Sequence, residues 1–167
     1  MSTTSSRGAP AEIRQVGPDD FPAVLRFFEG LSPESRRTFA PQPFDEEHAR
    51  RIVETSDGAE NVRLVAVRGG EVLGYCYFES RGPDLYPTVG LGIIDRAQNQ
   101  GLGSRLMSAL VAEARRLGKP GLVLTVHMDS ARALRVYTKN GYRITGECSN
   151  GIQWEMTLDL DGEDSAR

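Results

Sequence analysis

The run QNQGLG, residues 98–103, sets two glycines one residue apart directly before a stretch with helical periodicity. Glycine inside a helix costs about 1 kcal/mol against alanine, so stability alone places neither residue there. At a helix entrance the pair makes chemical sense. Glycine lets the backbone approach a ligand closely, and the first amides of a helix have no partner within it. Those amides attract anions. The run therefore reads as an anion-binding turn.

Two familiar nucleotide motifs do not account for it. A Walker-type phosphate loop ends in Gly-Lys-Ser/Thr, with the lysine for phosphates and the hydroxyl for magnesium, and nothing here supplies it. A dinucleotide fingerprint needs three glycines at fixed spacing near the start of a strand-helix-strand unit. GLGIID and GLGSRL each carry two.

The elements that must hold this turn follow from periodicity. EIRQV alternates as a first strand. GPDDFPAVLRFFEGL is a helix with Asp19 or Asp20 at its cap and Phe21, Val24, Leu25 and Phe28 on its apolar face. Ser32 caps a short second helix with Pro33 in its first position. Asp45 caps a third, with Ala49, Ile52 and Val53 inward. The period then changes. NVRLVAVR and EVLGYCYFES form a hairpin around Gly69-Gly70, whose turn needs positive φ. YPTVGLGIID is a strand interrupted by Gly90 and Gly92, a sign of a bulge or of close approach by ligand or backbone.

After QNQGLG comes the strongest helix, with Leu106, Leu110, Ala114 and Leu117 as its inner stripe and Gly118 as its stop. GLVLTVHM reads as a strand covered on both faces. DSARALRVYTKNGY is a short helix, and YRITGE and IQWEMTLDL are paired final strands. This order implies an α/β (α+β) domain with a mixed sheet of six or seven strands and helices on both faces. Residues 12–160 form one domain between polar tails at 1–11 and 161–167, which read as disordered.

Composition sets bounds. The net charge of −3 and pI near 5.5 give no basic nucleic-acid-binding surface. No apolar run approaches the roughly 18–20 residues of a membrane span, and MSTTSSRGAPA has no signal-peptide core. A cytoplasmic location is expected. Cys76 and Cys148, with His48 and His127, are too few and too scattered for a disulfide framework or a metal cluster.

Gln98-Asn99-Gln100-Gly101-Leu102-Gly103 resembles the Gln/Arg-x-x-Gly-x-Gly/Ala signature of the GCN5-related N-acetyltransferases. ARALRVYTKNGY, with Ala133 and Tyr137, resembles the second signature of that family, and the likeness covers roughly residues 12–160. LSPES-R is similar to a segment of acetyltransferases related to bacterial protein-lysine acetylation enzymes.

The resemblance implies acetyl-CoA as co-substrate and no metal. It implies a splayed central strand pair, with the pantetheine arm lying along the backbone of Ile93 and Ile94. The amides from Gln98 to Ser104 would grip the pyrophosphate, and Ala133 and Tyr137 would line the cofactor. Ser130 stands where relatives often carry asparagine near CoA. Direct attack by an amine on the thioester is implied, with an amide near Ile93 polarising the carbonyl and Tyr137 as general acid.

The glutamate that many relatives carry as base is here Thr88 or Val89. Glu79 is the preferred substitute, because its strand end should face the acceptor cleft. Asp84, His127 and a chain of waters are alternatives. Asp45, Glu46, Glu47 and Asp84 could attract a cationic acceptor, or the first three could simply favour a helix start. Tyr75, Tyr77 and Tyr86 either line the cleft or pack. The acceptor is a small-molecule or protein amine. The missing glutamate keeps open a second function, that of an acyl-CoA-binding sensor without turnover. Monomer or homodimer is expected, with IQWEMTLDL as a possible dimer edge.

Overall fold

The computed structural model describes residues 9–39, 43–83 and 85–161. Its strands are β1 (Glu12–Gln15), β2 (Asn61–Arg68), β3 (Glu71–Glu79), β4 (Thr88–Ile93), β5 (Gly121–His127), β6 (Arg143–Glu147) and β7 (Gln153–Asp159). Its helices are α1 (Phe21–Glu29), α2 (Pro33–Thr38), α3 (Glu46–Thr55), α4 (Leu102–Arg116) and α5 (Ala131–Lys139). One seven-stranded sheet runs β1-β2-β3-β4-β5-β7-β6. Only β4 and β5 pair in parallel; every other neighbouring pair is antiparallel.

Local chemistry sets the element ends. The β2–β3 hairpin turns on Gly69 and Gly70, at φ 60° and 76°. Ser32 Oγ accepts the Ser35 N–H at 3.1 Å and starts α2. Asp45 Oδ1 accepts the His48 N–H at 2.8 Å and starts α3. Asp20 ends a 3-10 turn instead of capping α1; it accepts the Gly17 N–H at 2.7 Å and binds Arg14.

Successive β3 residues separate the two layers, because side chains alternate across a strand. Cys76 faces α4, its thiol donating to the Leu106 carbonyl at 3.5 Å. Tyr75 faces the other way, its ring edge-on to Phe39 beyond α2 at 6.1 Å. Leu106, Met107, Leu110 and Ala114 of α4 are buried, as are Val24, Phe27 and Phe28 of α1.

Three expectations change. The β3–β4 register is unbroken from Glu79–Thr88 to Gly74–Ile93, so Gly90 and Gly92 do not mark a bulge. They give room to rings: a Cβ on Gly90 would stand 2.3 Å from Tyr77, and one on Gly92 would stand 2.8 Å from Phe39. β5 buries one face, that of Leu122, Leu124 and Val126, while on the other Thr125 is exposed and Val123 and His127 are half-buried. The strand IQWEMTLDL is not an edge, since β7 lies between β5 and β6 and β6 forms the border.

Candidate active site

The N–H of Ile94 bonds to the Leu73 carbonyl at 2.9 Å, which fixes the phase of the β3–β4 ladder. In an antiparallel pair alternate residues direct their N–H and C=O away from the partner. Val89, Leu91 and Ile93 therefore turn these groups toward β5. Yet β5 meets β4 at one position, Thr88–Val123, where the Val123 N–H bonds to the Pro87 carbonyl at 3.0 Å. Beyond it the strands part and the open edge of β4 faces a cleft of about 400 Å³.

QNQGLG closes one end of this cleft. Asn99 and Gly101 take positive φ, 61° and 79°, which turns the chain sharply into α4. No side chain caps that helix, and its first backbone bond runs from the Arg105 N–H to the Gly101 carbonyl at 3.1 Å. Helix geometry leaves the N–H groups of Leu102, Gly103 and Ser104 pointing out along the axis. A Cβ on Gly103 would meet nothing closer than 3.7 Å, so packing does not demand this glycine. Its bareness leaves the approach to those amides clear.

The structure brings most of the expected residues to one place. Ile93, Gln98, Asn99, Gly101, Leu102, Gly103, Ser104, Ser130, Ala133 and Tyr137 all line the cleft. Gln98 also has a structural task, its amide donating to the Ile93 carbonyl at 2.9 Å and to Ser35 Oγ at 3.3 Å. Ile94 is a correction. Its N–H goes to Leu73, its carbonyl accepts from Ala97 at 2.9 Å, and its side chain is buried, so it has no backbone group left for pantetheine. Gln100 is not among the lining residues, and its side-chain amide donates to the Arg96 carbonyl at 3.1 Å.

Glu79 does not face the cleft. Its carboxylate lies 2.9 Å from Arg63, whose side chain is 5% exposed and also donates to the Tyr75 hydroxyl at 2.9 Å. Arg63 is the mate that decides the orientation of Glu79. Tyr75 and Tyr77 stack at 5.4 Å and belong to the core, while Tyr86 bonds to Asp159 at 2.6 Å. Asp45 caps α3 and Glu46 pairs with Arg50, so those acids serve the helix. Asp84 lies outside the described residues. Among the described residues no carboxylate lines the cleft.

Tyr137 is 7% exposed, and burial raises its hydroxyl well above the ordinary tyrosine range, so it stays protonated at neutral pH. His127 lines the opposite wall, its Nδ1 3.3 Å from Arg37 Nη1 of α2. Sequence reading missed three cations: Arg132, Arg135 and Lys139 line the cleft from α5. Their spacing of three and four residues places them on one helical face, a signal present in the sequence.

The site's anion-binding turn, open strand edge and buried tyrosine can be set beside known proteins. Residues 24–142 match the acetyltransferase (GNAT) family. The chain belongs to that family. The L-methionine sulfoximine/L-methionine sulfone acetyltransferase of Pseudomonas aeruginosa is 26% identical over 156 residues, covering 90% of this chain and 91% of that protein. Its namesake from Salmonella typhimurium is 34% identical over 102 residues, 58% of this chain and 60% of that protein.

Among solved structures, the GNAT domain of S. lividans PAT superposes with a TM-score of 0.82 at 23% identity, covering 93% of each chain. The Salmonella typhimurium protein yncA, solved with its cofactor acetyl-CoA, gives 0.77 at 24% identity, covering 93% of this chain and 96% of that one. The chain is an acetyl-CoA-dependent N-acetyltransferase. Among its described residues, no helix is long and apolar enough to cross a membrane.

Proposed function

We propose that this acetyltransferase transfers the acetyl group to a small primary amine by direct attack in a ternary complex. The carrying observation is the uncapped start of α4 beside an open strand edge that leads toward Tyr137. The N–H groups of Leu102, Gly103 and Ser104 hold the pyrophosphate, and Arg132, Arg135 and Lys139 complement the phosphate charge. The outward N–H and C=O groups of Leu91 and the N–H of Ile93 pair with the pantetheine amides and the thioester carbonyl.

Acetyl-CoA supplies an acyl carbon bound to a good leaving group; the remaining work belongs to the chain. The amine nitrogen bonds to that carbon, the carbon–sulfur bond breaks, and the electron pair leaves on sulfur. Tyr137 donates its hydroxyl proton to the departing sulfur and recovers one from solvent. The nitrogen releases its proton to water, because no carboxylate in the described lining can take it. Relatives that act on methionine sulfoximine and methionine sulfone support a small-molecule acceptor.

Thermal melting with acetyl-CoA tests the reading. Ligand at about 100 times its dissociation constant stabilises by about 2.7 kcal/mol, a rise of several degrees. Gly101→Glu places a carboxylate in the phosphate site and a side chain at φ 79°. It should abolish the rise. A wild-type protein that does not respond would remove the proposal.

A further inference from the structure

The cleft between β4 and β5 is lined from both faces of the sheet, and the two sides differ. Cross-strand partners share a face, so Leu91 lies with Cys76 toward α4, and Gly92 lies with Tyr75 toward α1 and α2. Tyr137 belongs to the α4 side. Its ring packs against Tyr142, whose hydroxyl donates to Met107 Sδ of α4 at 3.5 Å. On the far side the lining includes Phe39, just past α2, and Leu31, in the turn between α1 and α2. Both are buried and apolar, each 4% exposed.

The ring of Phe39 lies directly on the backbone of β4. A Cβ placed on Gly92 would stand 2.8 Å from its Cδ1 and Cε1 and 2.9 Å from its Cγ, so the glycine is what lets the ring come this close. Three further rings hem it in: Phe27, Phe44 and Tyr75, at centroid distances of 6.3, 5.9 and 6.1 Å. A ring packed at interior density does not swing aside without clashes or voids elsewhere. The peptide that follows Gly92 carries the Ile93 N–H, the group assigned above to the thioester carbonyl.

A thioester carbon holds its three substituents in one plane. With the oxygen on the Ile93 N–H and the sulfur toward Tyr137 on the α4 side, the alkyl substituent projects to the opposite side, where Phe39 stands. We infer that Phe39 sets the acyl-chain length of the donor, leaving room for the single methyl of acetyl and blocking chains of four carbons. This rests on the acetyl transfer proposed above. A longer chain must either displace the packed rings or turn back into the space that the attacking amine needs.

Titration calorimetry with free CoA, acetyl-CoA and butyryl-CoA tests this without any acceptor. In the wild type, butyryl-CoA should bind about tenfold or more weakly than acetyl-CoA, the scale of one misfitting methylene in an apolar pocket. Phe39→Leu should bring that ratio close to one, and Phe39→Ala to one or below. Phe39→Leu keeps an apolar side chain against the neighbouring rings, so it carries the test if the alanine variant does not fold. Free CoA has no acyl group and should bind alike in all three proteins, which shows that the fold and the pyrophosphate site survive. Equal binding of acetyl-CoA and butyryl-CoA by the wild type would overturn the inference, as would an unchanged ratio in Phe39→Leu. Equal weakening of all three ligands in that variant would also overturn it, leaving the ring as packing only. A wild type that binds neither free CoA nor acetyl-CoA would instead overturn the cofactor site, and the transfer reaction with it.

Discussion

The two edges of β4 are built from the same six residues and differ in every other respect. Toward β3 the ladder is continuous from Thr88 to Ile93, and the rings of Tyr77 and Phe39 fill the space over Gly90 and Gly92. Toward β5 one bridge at Thr88 holds, and then the backbone of Leu91 and the N–H of Ile93, whose carbonyl accepts from Gln98, face a cleft. Buried backbone groups left without partners are costly. A sheet interior that leaves them open therefore marks where a ligand completes the pairing. The closed edge provides rigidity and the open edge provides binding, and each should fail in its own way when altered.

Tyr137→Phe attacks the open edge alone. The hydroxyl is the group assigned to protonate the leaving sulfur, and general acid catalysis contributes roughly 10²–10⁴-fold. We expect kcat to fall by about 10² or more while the acetyl-CoA melting shift persists, because no pyrophosphate contact changes. The ring of Tyr137 packs at 5.8 Å from that of Tyr142, and phenylalanine preserves this contact. Steady-state rates measured across pH would decide. An unchanged kcat at every pH would leave Tyr137 as packing only.

Two glycines separate the edges more finely. Gly90→Ala puts a methyl 2.3 Å from the Tyr77 ring, which is itself buried and stacked on Tyr75. Neither ring can swing aside, and overpacking of this kind costs about 1–3 kcal/mol, a loss of several degrees in Tm. Gly103→Ala puts its methyl at 3.7 Å from its neighbours and should leave Tm unchanged or slightly higher. It should weaken acetyl-CoA instead, since the methyl narrows the approach to the α4 amides. Melting curves with and without ligand read both effects. Equal losses of Tm in the two variants would break the distinction between a packed edge and an open one.

What could be read from sequence follows the same division. The caps at Ser32 and Asp45, the Gly69-Gly70 turn and the α4 stripe are set by residues a few positions apart, and all were legible. QNQGLG was legible because its glycines answer a local need, positive φ at Gly101 and open amides beyond it. The phase of β4 was not. Whether Ile93 or Ile94 opens on the cleft depends on the bond from Ile94 to Leu73, a long-range pairing. The reason for Gly90 and Gly92 was not local either, since the rings that need their space come from Tyr77 and Phe39, while Gly92 also lines the cleft. Arg132, Arg135 and Lys139 carry a helical spacing, but that their face meets the cleft depends on how α5 packs.

Glu79→Gln is the mildest test and sharpens the comparison at its far end, where β3 and β4 begin their closed register. Glu79 was expected to be the base, and the structure gives its carboxylate to the buried Arg63. Removing the partner of a buried charge would ordinarily be severe, but here the carboxylate is 48% exposed and glutamine still accepts a hydrogen bond. Solvent screening reduces the loss to about 1 kcal/mol or less. We expect a Tm lower by a few degrees at most, with kcat and its pH profile as in the wild type. If the acidic limb of that profile disappeared while Tm held, Glu79 would have to reach the acceptor after all, and the closed edge of β4 would carry chemistry as well as rigidity.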